Sequence, residues 1–168
     1  MTRSLVRQPL LATSIALALA GCSIAHAGTV DVKYVQDGQY TDAGRGRDLE
    51  QVEWSLTQHL QQLGAKSLPA RQTLSIEVLD IDLAGELRPW HRVWPDARVM
   101  RGSTDWPRIK LHYTLREGEQ VLSTGEEQVA DMAYLTGGRS WGLHEGQSLY
   151  HEKRMLSEWF ARRFTGRP

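Results

Sequence analysis

"QTLSIEVLDIDLAG", residues 72–85, decides the fold because its apolar pattern changes phase halfway along. Leu74, Ile76 and Val78 share one face of an extended chain, whereas Leu79, Ile81 and Leu83 fall on the other. An alternation of two predicts a long strand. The phase change requires either an extra residue near Val78 and Leu79 that re-aims the rest of the strand, or a distal half covered on both faces.

Toward the C-terminus, the loop "ELRPWHRVWPD" (86–96) leads to a short strand around Ala97 to Arg101. "RIKLHYTL" (108–115) then places Ile109, Leu111, Tyr113 and Leu115 on one face, "REGEQ" (116–120) turns, and Val121 to Met132 returns with Gly125 as a bulge. This predicts a hairpin. After the Gly-rich loop "LTGGRSWGLHEGQS" (135–148), Leu149, Met155, Leu156, Trp159, Phe160 and Phe164 trace a helical face. Arg162 and Arg163 suit the negative end of its dipole, and Gly166 ends it. Toward the N-terminus, Leu49, Val52, Leu56, Leu60 and Leu63 recur at spacings of three and four, predicting a helix from Asp48 to Leu63 with Gly64 as its stop and Pro69 beyond. Ahead of the loop "DGQYTDAGRGR" (37–47), "VDVKYV" (30–35) alternates as a half-buried strand. The order β-α-β-β-β-β-α predicts an α+β fold: a single mainly antiparallel sheet of four to five strands with two helices packed on one face. The other face would carry Lys33, Glu77, Lys110, His112 and Thr114.

The first residues hold Arg3 and Arg7 without an acid, and Leu10 to Ala20 run apolar for the length of a secretory h-region, too short for a permanent span. Residues 1–27 therefore read as a signal peptide, cut after Ala25-His26-Ala27; they shorten to 1–21 if Leu19-Ala20-Gly21-Cys22 is used as a lipobox and Cys22 is acylated. The lipobox is the more specific motif and the favoured one, since Cys22 is the sole cysteine and an unpaired thiol suits an oxidising compartment poorly. Against it stands the short tether before Val30. Ser23 after the cysteine directs an anchored form to the outer membrane. The remainder, residues 28–168 in the first case, has the length of one domain. Loss of Arg3 and Arg7 leaves 18 basic against 20 acidic residues, a net charge of −2 that argues against nucleic acid as a partner.

The blocks "YTDA" (40–43), "DIDLAG" (80–85), "DWPRIKLHYTL" (105–115) and "YHEKRMLSEWF" (150–160) give the chain a resemblance, over the whole mature length, to a bacterial family known as domain of unknown function 3016. The resemblance implies an exported proteobacterial protein; it brings no activity, ligand or catalytic residue. Members usually look like substrates of the ordinary signal peptidase, which weighs toward the Ala27 cut.

Asp80 and Asp82 would lie on one sheet face about 6 to 7 Å apart. They could share a divalent cation, with His91 as a third ligand, in a metal-dependent enzyme or envelope hydrolase. The favoured alternative is that they anchor backbone or arginine at the strand end, because metal sites need more convergent ligands. Of six tryptophans, Trp54 and Trp159 fall on helices as core or core-edge residues and Trp106 beside Pro107 as packing. Trp90, Trp94 and Trp141 fall in the two least regular loops with His91, Arg92 and Arg139: either flat apolar area with polar handles for an envelope protein, peptide or glycan, or rings buried by their own loops. Ser140, His144, Glu145 and Ser148 lack the G-x-S-x-G context of a serine hydrolase, and no phosphate loop or zinc spacing calls for a cofactor. The sequence thus favours a non-catalytic binding or assembly module in the periplasm, attached to the membrane if Cys22 carries lipid.

Overall fold

A computed structural model describes residues 27–35, 39–87, 98–102, 104–136 and 148–166. The elements are β1 (Thr29–Tyr34), α1 (Arg47–Ser67), β2 (Gln72–Asp82), β3 (Glu86–Leu87), β4 (Arg98–Val99), β5 (Arg108–Glu117), β6 (Gln120–Ala130) and α2 (Tyr150–Phe164). The phase change in β2 is a bulge: its register against β5 shifts between Val78 and Asp80, making Leu79 the extra residue. Leu74, Ile76 and Val78 before it and Ile81 and Leu83 after it are therefore all buried, and Asp80 and Asp82 turn to the opposite face.

The main sheet has four strands in the order β1-β2-β5-β6. β1 runs parallel to β2 and the other pairs are antiparallel, so the fold is α+β with a mainly antiparallel sheet. A parallel pair needs a crossover, and α1 provides it. Leu56 and Leu60 of α1 and Met155, Leu156, Trp159 and Phe160 of α2 join Val30, Leu74, Ile76, Leu111 and Tyr113 in one core, which puts both helices on one sheet face. The other face carries Lys33, Glu77, His112 and Glu126 as one cross-strand row. Lys110 and Thr114 alternate with His112 along β5 on the same side. The strand expected near Ala97 to Arg101 does not join this sheet; β4 pairs with β3 in a small sheet of its own. The chain turns off there at Gly85, whose φ of +76° favours glycine and whose added Cβ would lie 3.0 Å from the Val99 carbonyl oxygen.

Three local expectations are corrected. Gly64 does not stop the first helix, which continues to Ser67. An added Cβ there would lie 2.1 Å from Val30 Cγ2, so this glycine is where α1 presses on β1. Gly125 is not a bulge: it faces Tyr113 in regular register, and the slip falls instead at Leu115 and Arg116. Its missing side chain makes room for the Tyr113 ring, which an added Cβ would meet at 3.1–3.3 Å. That ring meets Trp159 and Phe164 edge-on at centroid distances of 6.0 and 5.5 Å. Trp54 is not core but 66% exposed, while Trp159 is buried with its N–H donated to Glu127 at 2.9 Å. Among the described residues, no helix is long and apolar enough to cross a membrane.

Candidate functional site

The bulge at Leu79 lets the end of β2 serve both sheet faces, with Ile81 and Leu83 in the core and Asp80 and Asp82 on the open side. Beyond the end of β1, the segment Tyr40–Ala43 takes its place beside β2. Asp42 N–H donates to the Ile81 carbonyl at 2.9 Å, and the Leu83 N–H donates to the Asp42 carbonyl at 3.0 Å. Asp80 fixes this graft with both oxygens: Thr41 donates its N–H to Oδ1 at 2.8 Å and its hydroxyl to Oδ2 at 2.7 Å. Tyr40 donates its hydroxyl to the Val35 carbonyl at 3.1 Å. Loss of solvent and then the Glu53 carboxylate push this phenol up to about 12, so it stays a donor.

Asp82 is held by Arg108, whose Nε donates to Oδ2 at 2.9 Å and whose Nη2 bonds the same oxygen. The guanidinium also sits over the Trp106 ring, 5.4 Å from its centroid, so one side chain is gripped from two sides. On the other flank, Arg98 gathers the turn after β2. Its Nε donates to the Ala84 carbonyl at 2.8 Å, its Nη2 to the carbonyls of Gly85 at 2.8 Å and Leu83 at 3.2 Å, and its fork pairs with the Asp42 carboxylate. From the helix layer, Glu152 of α2, only 3% exposed, accepts the Ala84 N–H at 2.7 Å. Asp105 accepts the N–H groups of Arg101 and Gly102 at 2.6 and 2.9 Å. Desolvation pushes the Asp105 carboxyl up, but these N–H groups and the Tyr134 hydroxyl outweigh it and hold it below the usual range.

Two clefts meet at Asp82. One, of about 190 Å³, is lined by Thr41, Asp80, Asp82, Arg108, Lys110 and Gln128. The other, of about 320 Å³, runs from Asp82 past Asp42 and Gly85 to Arg101, Thr104 and Asp105. The expectation that Asp80 and Asp82 anchor backbone and arginine describes their bonds. A shared cation is poorly served, since Asp80 is committed to Thr41 and Asp82 to Arg108. Among the described residues, no three His, Cys, Asp or Glu side chains converge as metal ligands. Cys22, Trp90, His91, Arg92, Trp94, Arg139 and Trp141 lie outside the described residues. Sequence reasoning missed Arg98, whose acceptors are mostly backbone carbonyls and leave no side-chain pattern to read. It also missed Glu152, which does leave a signal: a carboxylate three residues before Met155 on the apolar stripe of the last helix.

Fold and site together define a small α+β domain with one sheet face that no described element covers and a braced polar corner at one end of it. The chain belongs to the family described as protein of unknown function (DUF3016), which matches residues 28–162. No curated protein and no solved structure matches it.

Proposed function

We propose that the protein is an exported cell-envelope domain that acts as a non-catalytic binding or assembly module facing the periplasm, and that acyl chains on Cys22 hold it to the membrane. The observation that carries the reading is a sheet face that no described element covers. Both helices pack on the opposite side, and this face ends in clefts whose side chains are fixed by Thr41, Arg108 and Arg98. Rigid polar groups on an exposed sheet suit recognition, because little ordering remains to be done on binding. In this reading Trp90, His91, Arg92, Trp94, Arg139 and Trp141 supply the aromatic and cationic contacts to an envelope protein, peptide or glycan.

Described residues near the two segments in the chain are tied to each other: the Tyr134 hydroxyl accepts the Gly102 N–H at 3.3 Å just beyond β4. The test is capture of cross-linked partners from envelope extracts with the full chain, alongside the intact mass of the processed protein. Trp90→Ala and Trp94→Ala should each weaken capture, by roughly 2 kcal/mol if the ring is a hot spot, with an unchanged melting midpoint. A chain that keeps Met1 and stays in the cytosol, or capture indifferent to both substitutions, would refute the proposal. A mature N-terminus at Gly28 without lipid mass would refute the anchor alone.

A further inference from the structure

We infer that the cleft between Asp82 and Gln128 on the open sheet face binds a neutral, hydroxyl-rich ligand, one sugar unit of a glycan. The inference rests on the binding-module reading and gives it a ligand class. The cleft of about 190 Å³ has room for roughly six waters at ~30 Å³ each, or for one small ring that displaces them. Both of its cations are paired within the protein. Arg108 is paired with Asp82, Lys110 with Glu126 at 2.8 Å, and Asp80 is satisfied by Thr41. An anion would have to share these cations with Asp82 and Glu126 and would face Asp80, while a cation would face Arg108 and Lys110.

What the cleft does offer is unused hydrogen-bonding valence. Both Arg108 bonds go to Asp82 Oδ2, which leaves Oδ1 as an acceptor. Arg108 Nη1 and the Gln128 carboxamide have no hydrogen-bond partner among the described residues, and Lys110 keeps two ammonium hydrogens beyond its bond to Glu126. An acceptor on β2, donors on β5 and a group of both kinds on β6 thus line up across three adjacent strands, about 4.8 Å apart from one to the next. A hydroxyl donates and accepts at once, so a polyol can use every one of these positions without breaking an internal ion pair. Two of the groups are also held still, since Arg108 is fixed between Asp82 and the Trp106 ring. Asp82 also lines the larger cleft, where the next unit of a chain would lie.

The test is an NMR titration of the full processed chain, labelled with ¹⁵N, using glucose, galactose, N-acetylglucosamine and chitotetraose as probes and inorganic phosphate as the ionic control. Expected are saturable shifts of the Gln128 side-chain amide and the Arg108 Nε–H with at least one sugar, insensitive to added sodium chloride. Gln128→Ala, an exposed change on an edge strand, should weaken that binding about tenfold. Gln58→Ala on the outer side of α1 should leave it unchanged. No saturable shift with any sugar up to its solubility, or saturation by phosphate alone that salt abolishes, overturns the inference. Should the envelope capture succeed while the sugars stay silent, this inference fails and the binding-module reading stands; silence in both sinks both.

Discussion

Replacing Arg98 by methionine keeps an apolar stem that reaches as far as Nε but removes the guanidinium that gathers the turn after β2. Four acceptors lose a donor at once: the carbonyls of Leu83, Ala84 and Gly85 and the carboxylate of Asp42. A hydrogen bond from a charged donor contributes roughly 1.5–3 kcal/mol when no water can replace it. Here the Arg98 and Asp42 side chains are 21% and 33% exposed, so water takes over part of the loss and the bonds are not additive. The net cost of Arg98→Met should therefore be about 2–4 kcal/mol, or roughly 5–15 °C in melting midpoint for a chain of this size. Arg98→Lys should recover little, because a single ammonium cannot serve acceptors spread around a fork. Asp42→Asn should cost only about 0–1 kcal/mol, since the pair is partly exposed and the Asp42 backbone still bridges Ile81 and Leu83. Urea unfolding with circular dichroism as the readout measures all three. An Arg98→Met protein within about 0.5 kcal/mol of the parent would refute this account of the turn, as would an Asp42→Asn protein damaged as badly as Arg98→Met.

Gly64→Ala should destabilise by roughly 1–3 kcal/mol despite alanine's better helix propensity, because the new methyl meets Val30; a neutral or stabilising result in the same urea assay would mean that α1 can lift off β1 freely. Leu56→Ala and Phe160→Ala should each cost about 2–5 kcal/mol, whereas Trp54→Ala on the exposed side of α1 should stay within roughly 0.5 kcal/mol. Burial holds His59, and likewise His151, below the usual imidazole value of 6.5. The unfolded chain therefore takes up more protons in mild acid, and stability should be full above that value and fall as pH drops through it toward the lower folded values. Unfolding series from neutral to mildly acidic pH should show this slope in the parent and a shallower one in His59→Gln; equal slopes would contradict it.

Burial that repeats with a local period was legible in the sequence. The stripes Val52-Leu56-Leu60 and Met155-Leu156-Trp159-Phe160, the inward set of β5 and the slip at Leu79 all come from residues close together in the chain. Trp54 was misjudged although its phase was readable. At about 100° per residue it lies some 200° from both Val52 and Leu56, and aromatic character alone suggested burial. The parallel pairing of β1 was not legible, because alternation in "VDVKYV" gives a strand but no partner or direction. Gly64 and Gly125 read as punctuation, since a close approach by Val30 or Tyr113 is a tertiary fact. At the site, the two aspartates and their shared face came from the strand period. Their partners Thr41 and Arg108 come from distant segments that no spacing rule connects.

The parallel seam between β1 and β2 gives the domain a graded resistance to opening. Among the described residues β1 has a strand on one side only, and that neighbour reaches it by the long route through α1. β2 and β5 each lie between two strands, and β5 continues into β6 through a tight turn at Gly118 and Glu119. Such an arrangement separates into cooperative units of unequal free energy. Amide protons of β1 should exchange with solvent through a partial opening that peels off the N-terminal strand and leaves β2, β5 and β6 paired, while those at the centre of β2 and β5 wait for the whole molecule to unfold.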